Sequence, residues 1–140
     1  MEDAVSGGIM RRRPFGGVCI AWSPDLDHVI RPLVNYRHGR IVCAEVMAHP
    51  HPLLLISLYM PYFDASKRQE CIAETIDTIS MLEEIISDHP CHKLILGGDL
   101  NTELNGTSPF DNLWIEFMSK HDLSCCDRLF NGNNYTYFHK

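Results

Sequence analysis

KLILGGDLNT, residues 93–102, combines a short apolar run, two glycines, an aspartate and an asparagine. Short apolar runs bounded by glycine are typical of buried strands. Asp99 and Asn101 would then stand at the carboxyl end of a core strand, on one side of it if the chain stays extended. Because ligand crevices in α/β sheets form at such strand ends, this stretch predicts the candidate functional site.

Two other functional interpretations of this stretch fail, and one structural interpretation stays open. An apolar strand ending in an acid resembles a Walker B strand, but no G-x-x-x-x-G-K-[ST] loop occurs in the chain. A calcium loop beginning at Asp99 needs glycine and glutamate where the chain has Leu104 and Phe110. Asp-Leu-Asn is also common turn chemistry after a strand, and that alternative remains.

Four short apolar segments precede this stretch. They cover residues 16–22, 28–35, 40–47 and 53–59, with tight turns between them. Short strands joined by tight turns predict an antiparallel meander. Pro32 lacks the amide hydrogen that a central strand donates, so its segment is expected at a sheet edge or a bulge.

A long helix is predicted after the fourth segment. Ser66-x-x-Gln69 matches a capping box, and the helix should end near Asp88 because Pro90 follows. Its apolar residues recur at helical spacing, which predicts one buried stripe made of Ile72, Ile76, Ile79, Leu82, Ile85 and Ile86.

This helix would connect two parallel strands. Parallel pairing of residues 53–59 with residues 93–99 would bring the carboxyl ends of both strands to the same edge of the sheet. Tyr59 would then end one strand and Asp99 the other. Tyr59 is either a core aromatic at a strand end or a phenol directed into the same crevice as Asp99.

A second helix is predicted from Ser108-Pro109, because proline favours the first helical position. Its apolar face consists of Phe110, Leu113, Trp114, Phe117 and Met118, and Trp114 is expected in the core. Beyond it, residues 123–130 show no decisive pattern, 131–134 predict a turn, and 135–138 predict a strand.

Length and charge limit the possibilities. The chain has 140 residues, 45% of them hydrophobic and 21% charged, which is ordinary for one globular domain with one core. We expect residues 1–15 to be a disordered tail and 16–140 to form the domain. The formal net charge is -6, so nucleic-acid binding would need a local basic patch or a bridging metal ion.

Cysteine usage gives little indication of a metal site. None of the six cysteines forms C-x-x-C, so the sequence contains no zinc signature. Cys19, Cys43 and Cys71 lie in apolar patterns and are expected to be buried. With no convincing secretory signal and no apolar stretch long enough to span a bilayer, we expect an intracellular protein, nuclear or cytoplasmic.

Four segments together resemble the endonuclease/exonuclease/phosphatase superfamily, and within it the apurinic-type endonuclease domain of non-LTR (LINE-type) retrotransposons. They are GGVCIAW at 16–22, LLLISLYMPY at 53–62, KLILGGDLNT at 93–102 and YTYF at 135–138. They occur in the family's order and spacing, with a helix between the second and the third.

The resemblance implies an α/β fold, a partial four-layer α/β sandwich of two mixed β-sheets flanked by helices. It implies hydrolysis of a DNA phosphodiester that depends on Mg²⁺ or Mn²⁺, with no membrane and no small-molecule cofactor. Asp99 would position or deprotonate the attacking water, Asn101 would bond to oxygens of the phosphate or of a bound metal, and Tyr59 would contact the scissile phosphate. Thr136 matches a structural threonine of the family.

The chain also departs from the family's pattern. No counterpart of the principal metal-binding glutamate precedes residue 16, and no counterpart of the Ser-Asp-His ending follows residue 138. The metal ligands are therefore unassigned, and we expect a truncated or degenerate copy whose activity is weak or lost. Alternatives are another phosphoesterase of the superfamily, acting on inositol phosphates or sphingomyelin, and a non-catalytic remnant.

Overall fold

The computed structural model of the chain describes residues 17–34, 36 and 39–130. Within them, four strands form one mixed sheet in the order β1-β2-β3-β4. The strands are Ile30–Pro32 (β1), Ile41–Val46 (β2), Leu53–Tyr59 (β3) and Lys93–Asp99 (β4). The helices are Arg68–Asp88 (α1), Pro109–Lys120 (α2) and the short Cys126–Phe130 (α3). The predicted α/β class is confirmed.

The strand pairing follows the predicted topology. β1, β2 and β3 form an antiparallel meander in which Ile41 pairs with Leu58. β3 and β4 are parallel and are connected through α1, so that Leu53 pairs with Lys93. β1 is at the edge of the sheet, as Pro32 indicates, although it covers only three residues of the predicted segment.

The main core lies on one face of the sheet. Alternate residues of β3 point to this face and are buried, as period-two alternation requires. They belong to one hydrophobic cluster with residues of both long helices: Leu54, Ile56, Leu58, Leu82, Ile85, Trp114 and Phe117. Trp114 is therefore a core residue, as predicted.

The opposite face is open near β4. Ile95 is 52% exposed, and a Cβ built on Gly97 would meet no atom within 4 Å. Both belong to the set of alternate β4 residues that points away from the helices. The described residues therefore cover only one side of this strand.

The buried stripe of α1 differs from the prediction. Leu82 and Ile85 are buried as expected, but Ile76 is 45% exposed. The N-terminal half of the stripe is instead made by Cys71, Thr75 and Thr78. The Thr75 hydroxyl donates to the Cys71 carbonyl at 2.8 Å, and the Thr78 hydroxyl donates in the same way to the Glu74 carbonyl. Because these hydroxyls are satisfied by the helix itself, both threonines can be buried, which hydrophobic periodicity does not anticipate.

The predicted capping box at Ser66 is wrong. Asp64 is the capping residue, and its carboxylate accepts the backbone N–H of Ser66 at 2.9 Å and the Ser66 hydroxyl at 2.7 Å. A 3-10 turn at Ala65–Lys67 then precedes α1, whose N-cap Lys67 makes no side-chain cap. Asp64, two residues before Ser66, takes the capping position because its carboxylate accepts hydrogen bonds from two donors at once. Hydrogen bonds from Ser66 lower the pKa of Asp64. The end of α1 at Asp88 is confirmed.

The first predicted strand is also wrong. Residues 17–22 alternate between exposed and half-buried, as a strand over an apolar surface would, but they are not part of the sheet. A strand needs a ladder partner as well as an apolar face, and none of the described strands pairs with this segment. Cys19 is consequently exposed, whereas Cys43 and Cys71 are buried as expected.

Several predictions fall elsewhere in the chain. The tail at 1–15, the turn at 131–134, the strand at 135–138 and Thr136 lie outside the described residues. The undecided segment 123–130 contains α3.

Of the helices in the described part of the chain, none combines the length and apolar character that crossing a membrane requires.

Candidate active site at the carboxyl ends of two parallel strands

The parallel register places two of the predicted site residues side by side. Tyr59, the last residue of β3, is the Cα partner of Asp99, the last residue of β4. The N–H of Met60 donates to the Asp99 carbonyl at 2.8 Å and extends the ladder one step beyond the strands. Asp99 is exposed and Tyr59 is half-buried, so both are accessible at this edge.

Gly98 allows the two strands to approach closely just before the site. Its φ of 134° lies in the region that favours glycine. A Cβ at this position would overlap the carbonyl oxygen of Leu58 and would lie 2.8 Å from its carbonyl carbon. Any other residue would therefore separate the strands or distort the backbone directly before Asp99.

Asn101 adopts a left-handed conformation, with a φ of 50°. The chain is therefore not extended through Asn101, and the condition under which Asp99 and Asn101 would share one side is not met. Asparagine tolerates this conformation, and the turn it forms brings its backbone N–H to the Asp99 carboxylate at 3.0 Å. The side-chain amide of Asn101 donates from Nδ2 to the carbonyl of Met60 at 2.7 Å. The turn chemistry considered from sequence is thus present, and it ties the loop after β4 to the loop after β3.

The geometry defines what these groups can do. The Asp99 carboxylate keeps acceptor capacity beyond the one bond to Asn101, because an ionised carboxylate accepts about four hydrogen bonds. The Nδ2 group of Asn101 has two hydrogens, and the bond to Met60 uses one. The edge therefore offers the Asp99 carboxylate as an acceptor and the Asn101 amide as a donor, next to the half-buried Tyr59.

Arg40 is part of this region and was not predicted from sequence. Its guanidinium lies 5.8 Å from the centre of the Tyr59 ring, and its Nη1 donates to the Tyr59 carbonyl at 3.5 Å. The Tyr59 N–H in turn donates to the Arg40 carbonyl at 3.0 Å. Antiparallel pairing of β2 and β3 sets this position, because the residue before Ile41 faces the residue after Leu58. If the register of β2 and β3 had been known, it would have identified Arg40 as part of this region.

A buried carboxylate anchors the loop that carries Asn101. Asp111, in the first turn of α2, accepts hydrogen bonds from the Thr102 hydroxyl and from the backbone N–H groups of Thr107 at 3.0 Å and Ser108 at 3.1 Å. Ser108 Oγ reciprocally accepts the Asp111 N–H, which completes a capping box. Burial alone would raise the pKa of Asp111, but the hydrogen bonds from Thr102, Ser108 and Thr107 outweigh it and lower the pKa.

The described residues do not provide a preformed metal site. No group of three or more His, Cys, Asp or Glu side chains among them could hold a metal ion. His49 and His51, two histidines beside prolines in the turn between β2 and β3, are both exposed. At the strand-end site only Asp99 contributes a carboxylate, so its residues alone do not fit the Mg²⁺ or Mn²⁺ that the resemblance implies.

Comparison with known proteins gives no further assignment: no protein-family model, curated protein or solved structure matches this chain.

Proposed function

We propose that this chain is a phosphodiesterase domain of the endonuclease/exonuclease/phosphatase type, related to the DNA-nicking endonuclease of LINE-type retrotransposons, and that its activity is low. The observation that carries the proposal is the parallel register of Tyr59 with Asp99. It brings to one sheet edge two of the residues that the resemblance assigns to a phosphodiester, and the Asn101 amide is bonded to the adjoining loop.

The chemistry of the edge suits a phosphodiester. In our proposal the Asp99 carboxylate orients the attacking water towards phosphorus and accepts a proton from it as the new P–O bond forms. The P–O bond to the leaving sugar oxygen breaks in the same displacement, and that oxygen takes up a proton from solvent. The Tyr59 hydroxyl and the remaining Nδ2–H of Asn101 donate to the non-bridging oxygens, where negative charge accumulates in the transition state. Because the described residues do not form a metal site, we assign no step to a metal ion. No described residue is assigned the charge stabilisation that a metal ion would supply, so we expect low activity.

The proposal includes the finer fold. In a four-layer sandwich a second sheet packs against the face that the helices leave free. The exposed Ile95 and the open space above Gly97 support this arrangement, because large apolar side chains on a sheet face are normally covered.

Nicking of supercoiled plasmid tests the proposed activity. We expect slow nicking, and a comparison of Mg²⁺ or Mn²⁺ with EDTA measures whether a metal ion supplies the charge stabilisation that the described residues leave unassigned. Asp99→Ala should reduce the rate at least about tenfold, which is below the usual contribution of general acid–base catalysis. Asp77→Ala removes an exposed carboxylate from the middle of α1 and should leave the rate unchanged. Equal nicking by wild type and Asp99→Ala would contradict the assignment.

A non-catalytic remnant is the second candidate, because no metal-holding group occurs among the described residues. The two candidates differ in their response to divalent metal. A bound ion stabilises the folded state, so the melting temperature of an active domain should rise with Mg²⁺ or Mn²⁺. A folded chain that neither nicks DNA nor gains stability from the metal would establish the remnant.

A further inference from the structure

A cavity of about 470 Å³ adjoins the candidate site on the side of β2. It lies between the residues that precede β2, the loop after β3 and the first turns of α1, and Tyr59 is part of its wall. Its volume falls within the range of small-molecule and cofactor sites. It shares Tyr59 with the strand-end site, so the cavity and the site adjoin at this residue.

Two cationic side chains line the cavity. Arg40 Nη2 lies 3.1 Å from Glu74 Oε2, and Lys67 Nζ lies 3.8 Å from a carboxylate oxygen of Glu70. The Lys67 side chain is 64% exposed, so its ion pair is weak and its ammonium group is available to a second anion. An acidic chain needs such a local basic group to bind a polyanion. The cavity supplies two of them beside the candidate site, Arg40 and Lys67, together with two carboxylates, Asp64 and Glu74.

The cavity also has an exposed aromatic wall. Tyr62 is 74% exposed, which leaves most of its ring accessible. Single-stranded nucleic acids stack their bases on exposed aromatic rings, and cationic groups beside those rings contact the phosphates. Pro61 forms another part of the wall and is buried.

We propose that this cavity holds the nucleotide next to the scissile phosphodiester of a single DNA strand. The base stacks on Tyr62, and the adjoining phosphate binds between Arg40 and Lys67. The inference rests on the proposed function, because the scissile phosphodiester is placed at Tyr59 and Asp99. It adds a binding site for the strand that the resemblance did not assign.

Glu74 sets the strength of this binding. Its carboxylate already pairs with Arg40, so an incoming phosphate competes with it for the same guanidinium. Like charges in one cavity repel, so the Glu74 charge opposes the phosphate, as does that of Asp64, the other carboxylate in the lining. Glu74→Gln should tighten binding, whereas Glu84→Gln, the same charge change at an exposed position further along α1, should have a smaller effect.

Binding is measured by fluorescence anisotropy with a fluorescein-labelled oligothymidylate of about twelve nucleotides, a length that covers the usual site size of one small domain. The buffer contains EDTA, so that binding is separated from cleavage. We expect Tyr62→Ala to weaken binding about tenfold, within the range of one lost base–aromatic stack. Leu129→Ala, at an apolar residue that is 66% exposed elsewhere, should bind as wild type does.

Lys67 and Lys120 give a matched pair, because both side chains are 64% exposed and both lie beside a glutamate. Lys67→Ala should reduce the slope of log affinity against log salt by about 0.7, the value for one phosphate contact on a single strand. Lys120→Ala should not. Equal slopes for the two variants, unchanged binding in Tyr62→Ala, or no binding by wild type would each overturn the proposal. Because no cleavage is measured, failure of the cavity and failure of the proposed hydrolysis are distinguishable.

Discussion

Gly98→Ala is expected to lower the free energy of unfolding by at least about 3 kcal/mol, which combines backbone strain with steric overlap. The strain arises because alanine must adopt a φ of 134°, which L-residues rarely occupy. The overlap arises because the new methyl group would meet the Leu58 carbonyl oxygen, which belongs to the rigid sheet backbone. The strands must therefore move apart where Tyr59 and Asp99 pair.

Gly97→Ala is the matched control, since it adds the same methyl group one residue earlier. Nothing lies within 4 Å of its Cβ position, and its φ is outside the region that favours glycine. Its effect should stay within about 1 kcal/mol, and restriction of the unfolded chain can even make it stabilising. Urea denaturation followed by circular dichroism measures both variants. Similar stabilities for the two would show that β3 and β4 do not approach as closely as described.

Asp111→Ala is expected to cost about 2–4 kcal/mol, because a helix cap and several hydrogen bonds to a charged group are lost together. The Thr107 and Ser108 N–H groups would lose their acceptor, and Thr102 would lose its partner. The loop between β4 and α2 would then be held by fewer contacts. We therefore expect DNA nicking to fall as well, although Asp111 is not placed in contact with the substrate.

Asp111→Asn tests the charge of this group through its pH dependence. Its folded-state pKa is lowered, so the stabilisation is present above the unfolded-state pKa of about 3.9 and is lost as pH falls through the lowered value. The stability difference between wild type and Asp111→Asn should therefore be largest near pH 7 and should shrink below about pH 4. A difference that stays constant down to pH 2 would exclude a contribution from the ionised carboxylate.

The parallel crossover is the part of the fold that sequence predicts best. The apolar runs 53–59 and 93–99 have strong strand signals, and α1 between them ends at Asp88 as Pro90 requires. Once these elements pair in parallel, Tyr59 and Asp99 must meet at one edge. The juxtaposition was therefore predictable without any knowledge of side-chain contacts.

The remaining differences come from interactions that a local pattern does not contain. Residues 17–22 have a strand pattern but no ladder partner among the described strands. Thr75 and Thr78 are buried because the helix backbone accepts their hydroxyl groups. Arg40 reaches the site through the register of an antiparallel pair, which fixes contacts between residues far apart in sequence. Each of these depends on tertiary partners.

Binding of a phosphodiester at the edge formed by Tyr59, Asp99 and Asn101 is the central claim of the proposed function. Amide chemical shifts of the ¹⁵N-labelled chain, titrated with thymidylyl-thymidine, test this claim residue by residue. The control is the same dinucleoside with an uncharged methylphosphonate linkage. We predict that the phosphodiester shifts the amides of Tyr59, Met60 and Asn101 and that the methylphosphonate does not. Shifts confined to other parts of the chain, or equal shifts with both compounds, would contradict the account.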